Sequence, residues 1–321
     1  MNKPRISVAV PTHKRADYLK DCLTSIFNQT LLPVEVVISE DGSDVDTKKV
    51  IDQFICTYPD IIVKHIVNEI PLGQLANRQQ AFRLTTGEYV AMLDDDDIWH
   101  NDFLNLTYNA LSKHEESSFC SSNHYFMDGN NNLLEEKSLM FADYCGRSNM
   151  DSGEYDDVFM RTLTNKACIF TIHVTLFKRK ILEEVGFFRN YGGMVPDYTL
   201  MLSLGALNHK VYFLTNYLGY CRIHEGQQTA KRLENTISKV EAIHCLYNDY
   251  KKLLSKSQIK KLRKKYIEVV LECSIAYAHH KRRKESLTNM LNIYELGFGR
   301  ISLYRALVLM VLLGGVSKKT L

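Results

Sequence analysis

The sequence predicts an α/β fold, a Rossmann-like and mainly parallel central sheet with flanking helices, plus a C-terminal helical region. Three observations carry that expectation. Short β-branched runs alternate with amphipathic helical segments up to about residue 93, the alternation returns over residues 171–222, and beyond residue 233 the apolar positions keep helical spacing. With 321 residues and 45% hydrophobic content, the chain is long enough for one large α/β domain and a smaller appendage.

The strands of the first part read as residues 6–10, 34–38, 61–66 and 89–93. The helices between them are expected to begin near Asp17, Asp44 and Gly73, and Leu19, Leu23, Ile26 and Phe27 give the first of them a buried face. Residues 115–169 look less regular, with a turn at 128–132. A helix is expected after Pro196, and one to start near Asn101, with short strands at 211–214 and 218–222. The helical end is read from Ile237, Val240, Ile243, Tyr247 and Tyr250, then Leu262, Tyr266, Val269, Val270 and Cys273. These patterns divide the chain into residues 1–232, with a nucleotide-binding half to about 114, and a basic helical region at 233–321.

Charge is uneven along the chain. Residues 1–250 hold 24 Lys+Arg against 33 Asp+Glu, a net of −9, and residues 251–321 hold 16 against 4, a net of +12. The basic end is expected to seek an anionic surface such as phospholipid headgroups. No helix-turn-helix, zinc-finger or RNA-recognition signature accompanies that charge, so nucleic acid is not an expected partner. The first strand starts too early to leave room for a secretory signal, and eight scattered cysteines without a C-x-x-C pair read as reduced buried thiols, which together suggest a cytoplasmic protein. Residues 301–316 are strongly apolar but span only 16 positions and include Arg305, fewer than the roughly 20 that a spanning helix needs. An interfacial helix beside the basic clusters 260–265 and 281–284 fits better, placing the chain peripherally on the inner face of the cell membrane. A helix packed on the main domain or in a homo-oligomer interface is the competing reading.

In sheets of this kind ligands bind where strands end at their carboxyl side. After the fourth strand comes Leu93-Asp94-Asp95-Asp96-Asp97-Ile98-Trp99. Four adjacent carboxylates at the end of a buried strand repel one another unless a cation or hydrogen-bond network compensates them. Hard divalent ions such as Mn2+ and Mg2+ take carboxylate oxygens and bridge them to phosphates, so this turn is a candidate metal–diphosphate site. A solvated acidic turn capping the next helix is the plainer alternative. After the first strand comes Pro11-Thr12-His13-Lys14-Arg15, and after the second Ser39-Glu40-Asp41-Gly42-Ser43-Asp44, a tight turn with a carboxylate aimed over the sheet.

In this order the segments VAVPTHKR, VVISEDGSD and GEYVAMLDDDDIW resemble the inverting glycosyltransferases of family two, with the GT-A fold, a group that builds bacterial surface polysaccharides and O-antigens. The likeness runs from about Arg5 to Thr229. It implies that Pro11 and Thr12, with His13 to Arg15 nearby, line a nucleoside pocket, and that Asp41, beside Glu40, accepts a hydrogen bond from a uracil or thymine imide. It implies that Asp95 touches the ribose and Asp96 holds the metal, with Asp94 and Asp97 close enough to exchange these duties. Gly73 to Arg78 is similar to a Gly-x-x-x-Ala-Arg-Asn element with Asn77 and Arg78 in reverse order, which would bring Arg78 to the diphosphate. Pro196-Asp197 matches an acidic pair whose second member, here Asp197, is the catalytic base; an ordinary helix cap is the plain alternative. Tyr220-Cys221-Arg222-Ile223-His224 looks like the family's Tyr-Arg-x-His loop, which would give Arg222 a place near the phosphates and make His224 a third metal ligand or a phosphate donor. The irregular stretch 115–169 is expected to shape the acceptor site.

The implied reaction moves a sugar from a nucleotide diphosphate donor, UDP-linked before dTDP-linked, to a hydroxyl of a glycan or lipid-linked glycan acceptor, with Mn2+ or Mg2+. A nucleotidyltransferase would place a Gly-rich loop after the first strand, where none stands, and a dehydrogenase would need G-x-G-x-x-G. A non-catalytic nucleotide-sugar-binding protein is supported only by Pro196 in place of the first acid.

Overall fold

The computed structural model describes residues 3–189, 191, 195–224, 232–279 and 285. The chain divides into two compact units, one of residues 1–190 with 196–225, the other of 191–195 with 226–321.

In the first unit, strands β1 (Ile6–Thr12), β2 (Glu35–Asp41), β3 (Ile62–Asn68) and β4 (Tyr89–Met92) alternate with helices α1 (Ala16–Phe27), α2 (Val45–Thr57) and α3 (Gln74–Arg83). All their pairings are parallel, in the order β3-β2-β1-β4, with Val8 facing Val36 on one side and Ala91 on the other. Successive residues of β1 point to opposite faces. Val8 and Val10 therefore join a core with Leu19, Leu23, Val36 and Phe103, while Ala9 joins a second core with Phe82, Met92 and Phe177. Helix α2 starts where expected because the Asp44 carboxylate caps it, accepting from the Thr47 amide at 2.9 Å.

The sheet continues through β8 (Thr175–Lys178), β6 (Ser117–Met127), β9 (Lys210–Arg222) and β5 (Ile98–Trp99), with β7 (Gly153–Tyr155) also on β9. Strand β8 runs antiparallel to β4 and β6, and β6 runs parallel to β9. Here the structure departs from the sequence reading. The stretch 115–169 is not irregular: it holds the 11-residue β6 and helices α5 (Glu135–Tyr144) and α6 (Val158–Thr164). Strand β6 shows no alternation because it is buried on both faces and carries Ser121, Ser122, Asn123 and His124 inside. Thr175 donates to Ser121 Oγ at 2.9 Å and Asn123 Nδ2 to the Thr215 carbonyl at 2.9 Å, while Asn123 Oδ1 is buried without a partner among the described residues. The two short strands expected at 211–214 and 218–222 are one 13-residue strand, and the helix expected near Asn101 is α4 (Phe103–Lys113).

Helix α7 (Arg179–Val185) precedes α8 (Pro196–Ala206), whose residues 198–206 are all buried, so α8 has no solvent stripe at all. The cysteines are free, as expected, but only Cys22, Cys120, Cys145 and Cys273 are buried; Cys168, Cys221 and Cys245 are half-buried and Cys56 is exposed.

In the second unit α9 (Arg232–Tyr250) packs on α10 (Lys256–His279). Ser255 and Gln258 satisfy each other's amides at the start of α10, at 2.8 and 3.2 Å, a reciprocal cap. Leu262, Tyr266, Val269, Val270 and Cys273 are buried, whereas Lys260, Lys261, Arg263 and Lys264 are exposed. Among the described residues no helix is long and apolar enough to cross a membrane. The apolar segment 301–316 and the basic cluster 281–284 lie outside the described residues.

Gly205 marks the tightest contact in the second core: a Cβ there would stand 2.3 Å from the Phe159 amide nitrogen and 2.6 Å from its Cα. Because α6 backbone blocks the space, Gly205→Ala is expected to lower stability by about 1–3 kcal/mol in denaturant unfolding. An unchanged midpoint would contradict this packing.

Candidate active site

The turn after β4 closes with the Asp97 amide donating to the Asp94 carbonyl at 3.1 Å. Each of its four carboxylates has its own partners. Arg78, on α3, grips Asp94 with two donors, Nε at 3.0 Å and Nη2 closer still. Asp95, buried, accepts from Thr12 Oγ1 at 2.8 Å, the His13 amide at 3.2 Å and Arg15 Nη1 at 3.4 Å. Asp96 shares one oxygen between Arg15 Nη1 at 2.7 Å and His224 Nε2 at 3.0 Å. Asp97 accepts the Arg222 amide at 2.9 Å and faces Cys221.

The electrostatics follow from burial. Desolvation pushes Asp94, Asp95 and Asp97 up; neighbouring Asp96 adds to the shift, and Asp95 reaches about 7 although Arg15 and Thr12 oppose it. Burial alone would lower Arg15 and Arg78, but Asp95 and Asp96 in one case and Asp94 in the other raise them.

The residues fit a hard divalent cation. Asp94, Asp96 and Asp97 each offer an oxygen, and these atoms lie within 4.8 Å of one another. The shared oxygen of Asp96, where Arg15 and His224 converge, marks where positive charge is held.

Across from Arg78 and Asp94 stands Asp197, in the first turn of α8. It is not the cap itself: α8 already begins at Pro196, and Asp197 Oδ2 instead accepts the Ile172 amide at 3.0 Å. Arg78, Met92, Asp94, Ile172, His173, Phe188 and Asp197 line one pocket. Burial raises Asp197, and Arg78 pulls in the opposite direction.

Other sequence-assigned residues make bonds within the fold. Glu40 is 1% exposed and its carboxylate meets His65 Nε2 at 2.7 Å and the Asp44 amide at 2.6 Å, so it shapes the turn rather than facing the cleft. Asp41 accepts the Leu72 and Gly73 amides at 2.6 and 2.9 Å, fixing the entry to α3, and its carbonyl meets His13 Nδ1. Pro11 and Thr12 are buried at the end of β1 beside Ser39 and Glu40. Arg222 is 1% exposed; its Nε donates to the Asp96 carbonyl at 2.9 Å, it reaches Asp21 at 3.3 Å and Asn131, and it lies 4.5 Å over the Tyr18 ring. It braces the acidic turn from behind.

Three residues received no role from the sequence. Asn77 is buried, accepting from Ser39 Oγ at 2.6 Å and donating to the Ser39 carbonyl at 2.9 Å, so the Asn-Arg order puts an amide on the sheet and leaves Arg78 for Asp94. Arg147, 2% exposed, donates to the Ile169 carbonyl at 2.7 Å and Thr171 Oγ1 at 3.1 Å, holding the loop that carries the Ile172 amide. His173 lies in a one-turn 3-10 helix (Ile172–Val174) and reads in sequence as one polar residue in a strand-like run. Nothing in the local pattern distinguishes it.

The acidic turn generates a pH signature. A folded pKa raised above the ordinary carboxylate value means that the folded chain keeps a proton the unfolded chain has lost. Asp95 therefore favours folding at low pH, and that contribution is lost as pH rises from about 4, the unfolded value, through the folded value of about 7. In chelator-treated protein, Asp95→Asn is expected to flatten the decline in unfolding midpoint across this window, and an identical pH profile in the variant would contradict it.

Comparison with known proteins gives the site a context. The family model for glycosyl transferase family 2 matches residues 7–186, more than half of the chain. The chain is 28% identical over 250 residues to the GalNAc(5)-diNAcBac-PP-undecaprenol beta-1,3-glucosyltransferase of Campylobacter jejuni, covering 70% of this chain and 75% of that protein. Among solved structures, its fold is similar to the mannosyltransferase PcManGT from Pyrobaculum calidifontis in complex with GDP-Man and Mn2+, with a TM-score of 0.60 at 17% identity over 99% of this chain and 82% of the other. It is similar also to S. aureus TarS 1-349 in complex with UDP, with a TM-score of 0.58 at 13% identity over 97% and 92% of the two chains. With the GT-A architecture of these neighbours and the matched family model, the chain belongs to glycosyl transferase family 2.

Proposed function

We propose that this glycosyltransferase is a metal-dependent, inverting hexosyltransferase that uses a nucleotide diphosphate sugar, UDP-linked before dTDP-linked, and glycosylates a hydroxyl of a glycan or lipid-linked glycan in surface polysaccharide synthesis. The observation that carries it is a pocket in which Asp197 shares walls with Arg78 and Asp94, so a carboxylate and the acidic turn flank one cavity. The Campylobacter relative is named for a polyprenol-linked saccharide, which supports a lipid-linked acceptor here. PcManGT was solved with Mn2+, which supports Mn2+ or Mg2+ on Asp96, with His224 beside it.

The cation, when bound, would supply Lewis acidity and offset the charge that grows on the leaving diphosphate. The chain's own residues do the rest. Thr12 and the His13 amide hold Asp95 in a fixed orientation, and Arg78 fixes Asp94 in the wall of the pocket. Asp197, held by the Ile172 amide, takes the acceptor hydroxyl proton as the new bond forms. Its raised pKa makes it a better proton acceptor than an exposed carboxylate. Attack from that side and departure from the other inverts the anomeric centre in one displacement, and no covalent sugar intermediate is needed. Asp41 would read the pyrimidine imide through the lone pairs that Leu72 and Gly73 leave over.

We take residues 1–232 as the catalytic domain and the helical region after them as a peripheral anchor, on the inner face of the cell membrane. The exposed Lys260, Lys261, Arg263 and Lys264 of α10 support an anionic surface, since basic residues near such a membrane contribute about 1 kcal/mol each.

Two variants test the assignment. Asp197→Asn keeps an oxygen for the Ile172 amide and is expected to hold donor affinity within a few-fold while transfer falls about 10²–10⁴-fold. Asp96→Ala is expected to abolish metal-dependent binding of nucleoside diphosphate with the fold intact by circular dichroism. Near-normal transfer by Asp197→Asn, or full activity after chelation, contradicts the proposal.

A further inference from the structure

We propose that Asp97, His173 and Cys221 form a second cation site, for a borderline or soft divalent ion of the Zn2+ class, adjoining the acidic turn. One carboxylate oxygen, one imidazole nitrogen and one sulfur lie within 4.8 Å of one another. They come from three separate elements: the turn after β4, the 3-10 helix before β8, and β9.

Two independent features point to a ligand. First, His173 Nε2 is fully buried and has no hydrogen-bond partner. Most buried polar atoms are paired, so an unpaired nitrogen on an imidazole that also adjoins a carboxylate and a thiol calls for a specific cause. Second, the donor set is wrong for the hard ion of the donor site. Mg2+ and Mn2+ take oxygens, whereas a sulfur–nitrogen–oxygen triad selects Zn2+ and its neighbours, and three protein ligands leave a fourth position for water.

The ligands are also prepared and held. Burial lowers His173 to about 3, so the imidazole is neutral and its lone pair is available at every working pH. The His173 carbonyl accepts Trp99 Nε1 at 2.6 Å, and its ring packs against His124 with centroids 4.5 Å apart. Asp97 is fixed by the Arg222 amide at 2.9 Å, next to Cys221 on the same strand. Binding would release the Cys221 thiol proton to solvent as the metal–sulfur bond forms. Bonds of about 2.0–2.3 Å around a tetrahedral ion bring ligand atoms to about 3.5 Å, a closure of about 1 Å that side-chain rotation supplies.

The site goes beyond the transferase reading and does not depend on it. It shares the Asp94–Asp97 turn, so a Zn2+-class ion there would compete with Mn2+ for Asp97 and act as an inhibitor. The probe is Co2+ alone, titrated into chelator-treated full-length protein without nucleotide. The expected result is a near-ultraviolet thiolate-to-cobalt charge-transfer band saturating at one equivalent, kept in Cys56→Ser, lost in Cys221→Ser, and lost or displaced in His173→Gln. X-ray absorption of the cobalt-loaded wild-type protein, which needs no variant to fold, is expected to show one sulfur at about 2.3 Å in the first shell. An all-oxygen or nitrogen–oxygen shell, the absence of the band, or a band that survives Cys221→Ser overturns the proposal. None of these readouts involves donor binding or sugar transfer, so their failure leaves the transferase assignment standing.

Discussion

Four consecutive carboxylates at the end of a buried strand are the constraint on which the rest of the first unit is arranged. Left alone, the turn Asp94–Asp97 would force its own residues apart or take up protons. The chain answers with groups from distant parts of the sequence: the guanidinium of Arg15 just before α1, that of Arg78 on α3 and that of Arg222 at the end of β9, with the His224 imidazole just beyond it. Each converges because the parallel order β3-β2-β1-β4 brings these strand ends to one edge, and because β9 returns antiparallel to β5 beside the turn. Removing one partner of such a buried pair leaves a charge uncompensated, which costs far more than a surface ion pair contributes.

The compensation is divided by function. Arg222 approaches from behind, bonded to the Asp96 carbonyl and stacked on Tyr18, and fixes the backbone of the turn. Arg15 and His224 meet on a single oxygen of Asp96 at the front, an arrangement that a divalent cation could replace without unfolding the frame. Arg78 has a double allegiance. Its fork restrains Asp94, while its charge also opposes the rise that burial imposes on Asp197 on the opposite wall, so one guanidinium couples the acidic turn to that carboxylate. Arg147 acts further back, bracing the 169–171 backbone from which the Ile172 amide reaches Asp197.

Much of this was legible in the sequence, for a physical reason in each case. The first four strands are β-branched runs, and the helices between them begin at residues whose chemistry marks a start, as Asp44 does by capping α2. The acidic turn announced itself because four carboxylates together have few structural explanations. What the sequence hid was anything buried on two sides. Strand β6 lacks alternation since Ser121, Ser122 and Asn123 face a packed interior, and α8 lacks a polar stripe since every residue from Tyr198 to Ala206 is enclosed. Likewise the sequence could not show that Glu40 and Arg222 are buried and already bonded within the fold, because a side chain's position along a strand does not reveal which hydrogen bonds it has made. His173 and Cys221 are 48 positions apart in the chain, and only the sheet puts them together.

The claim that the acidic turn is the seat of a metal bridging donor phosphates is tested most directly by locating the metal. Crystals grown with Mn2+ and UDP, measured at the manganese absorption edge, should show a strong anomalous peak about 2.2 Å from an Asp96 carboxylate oxygen. The peak should also contact the diphosphate, with Arg15 displaced from that oxygen. A bound diphosphate with no peak at Asp96, or a peak on carboxylates elsewhere in the chain, would contradict it.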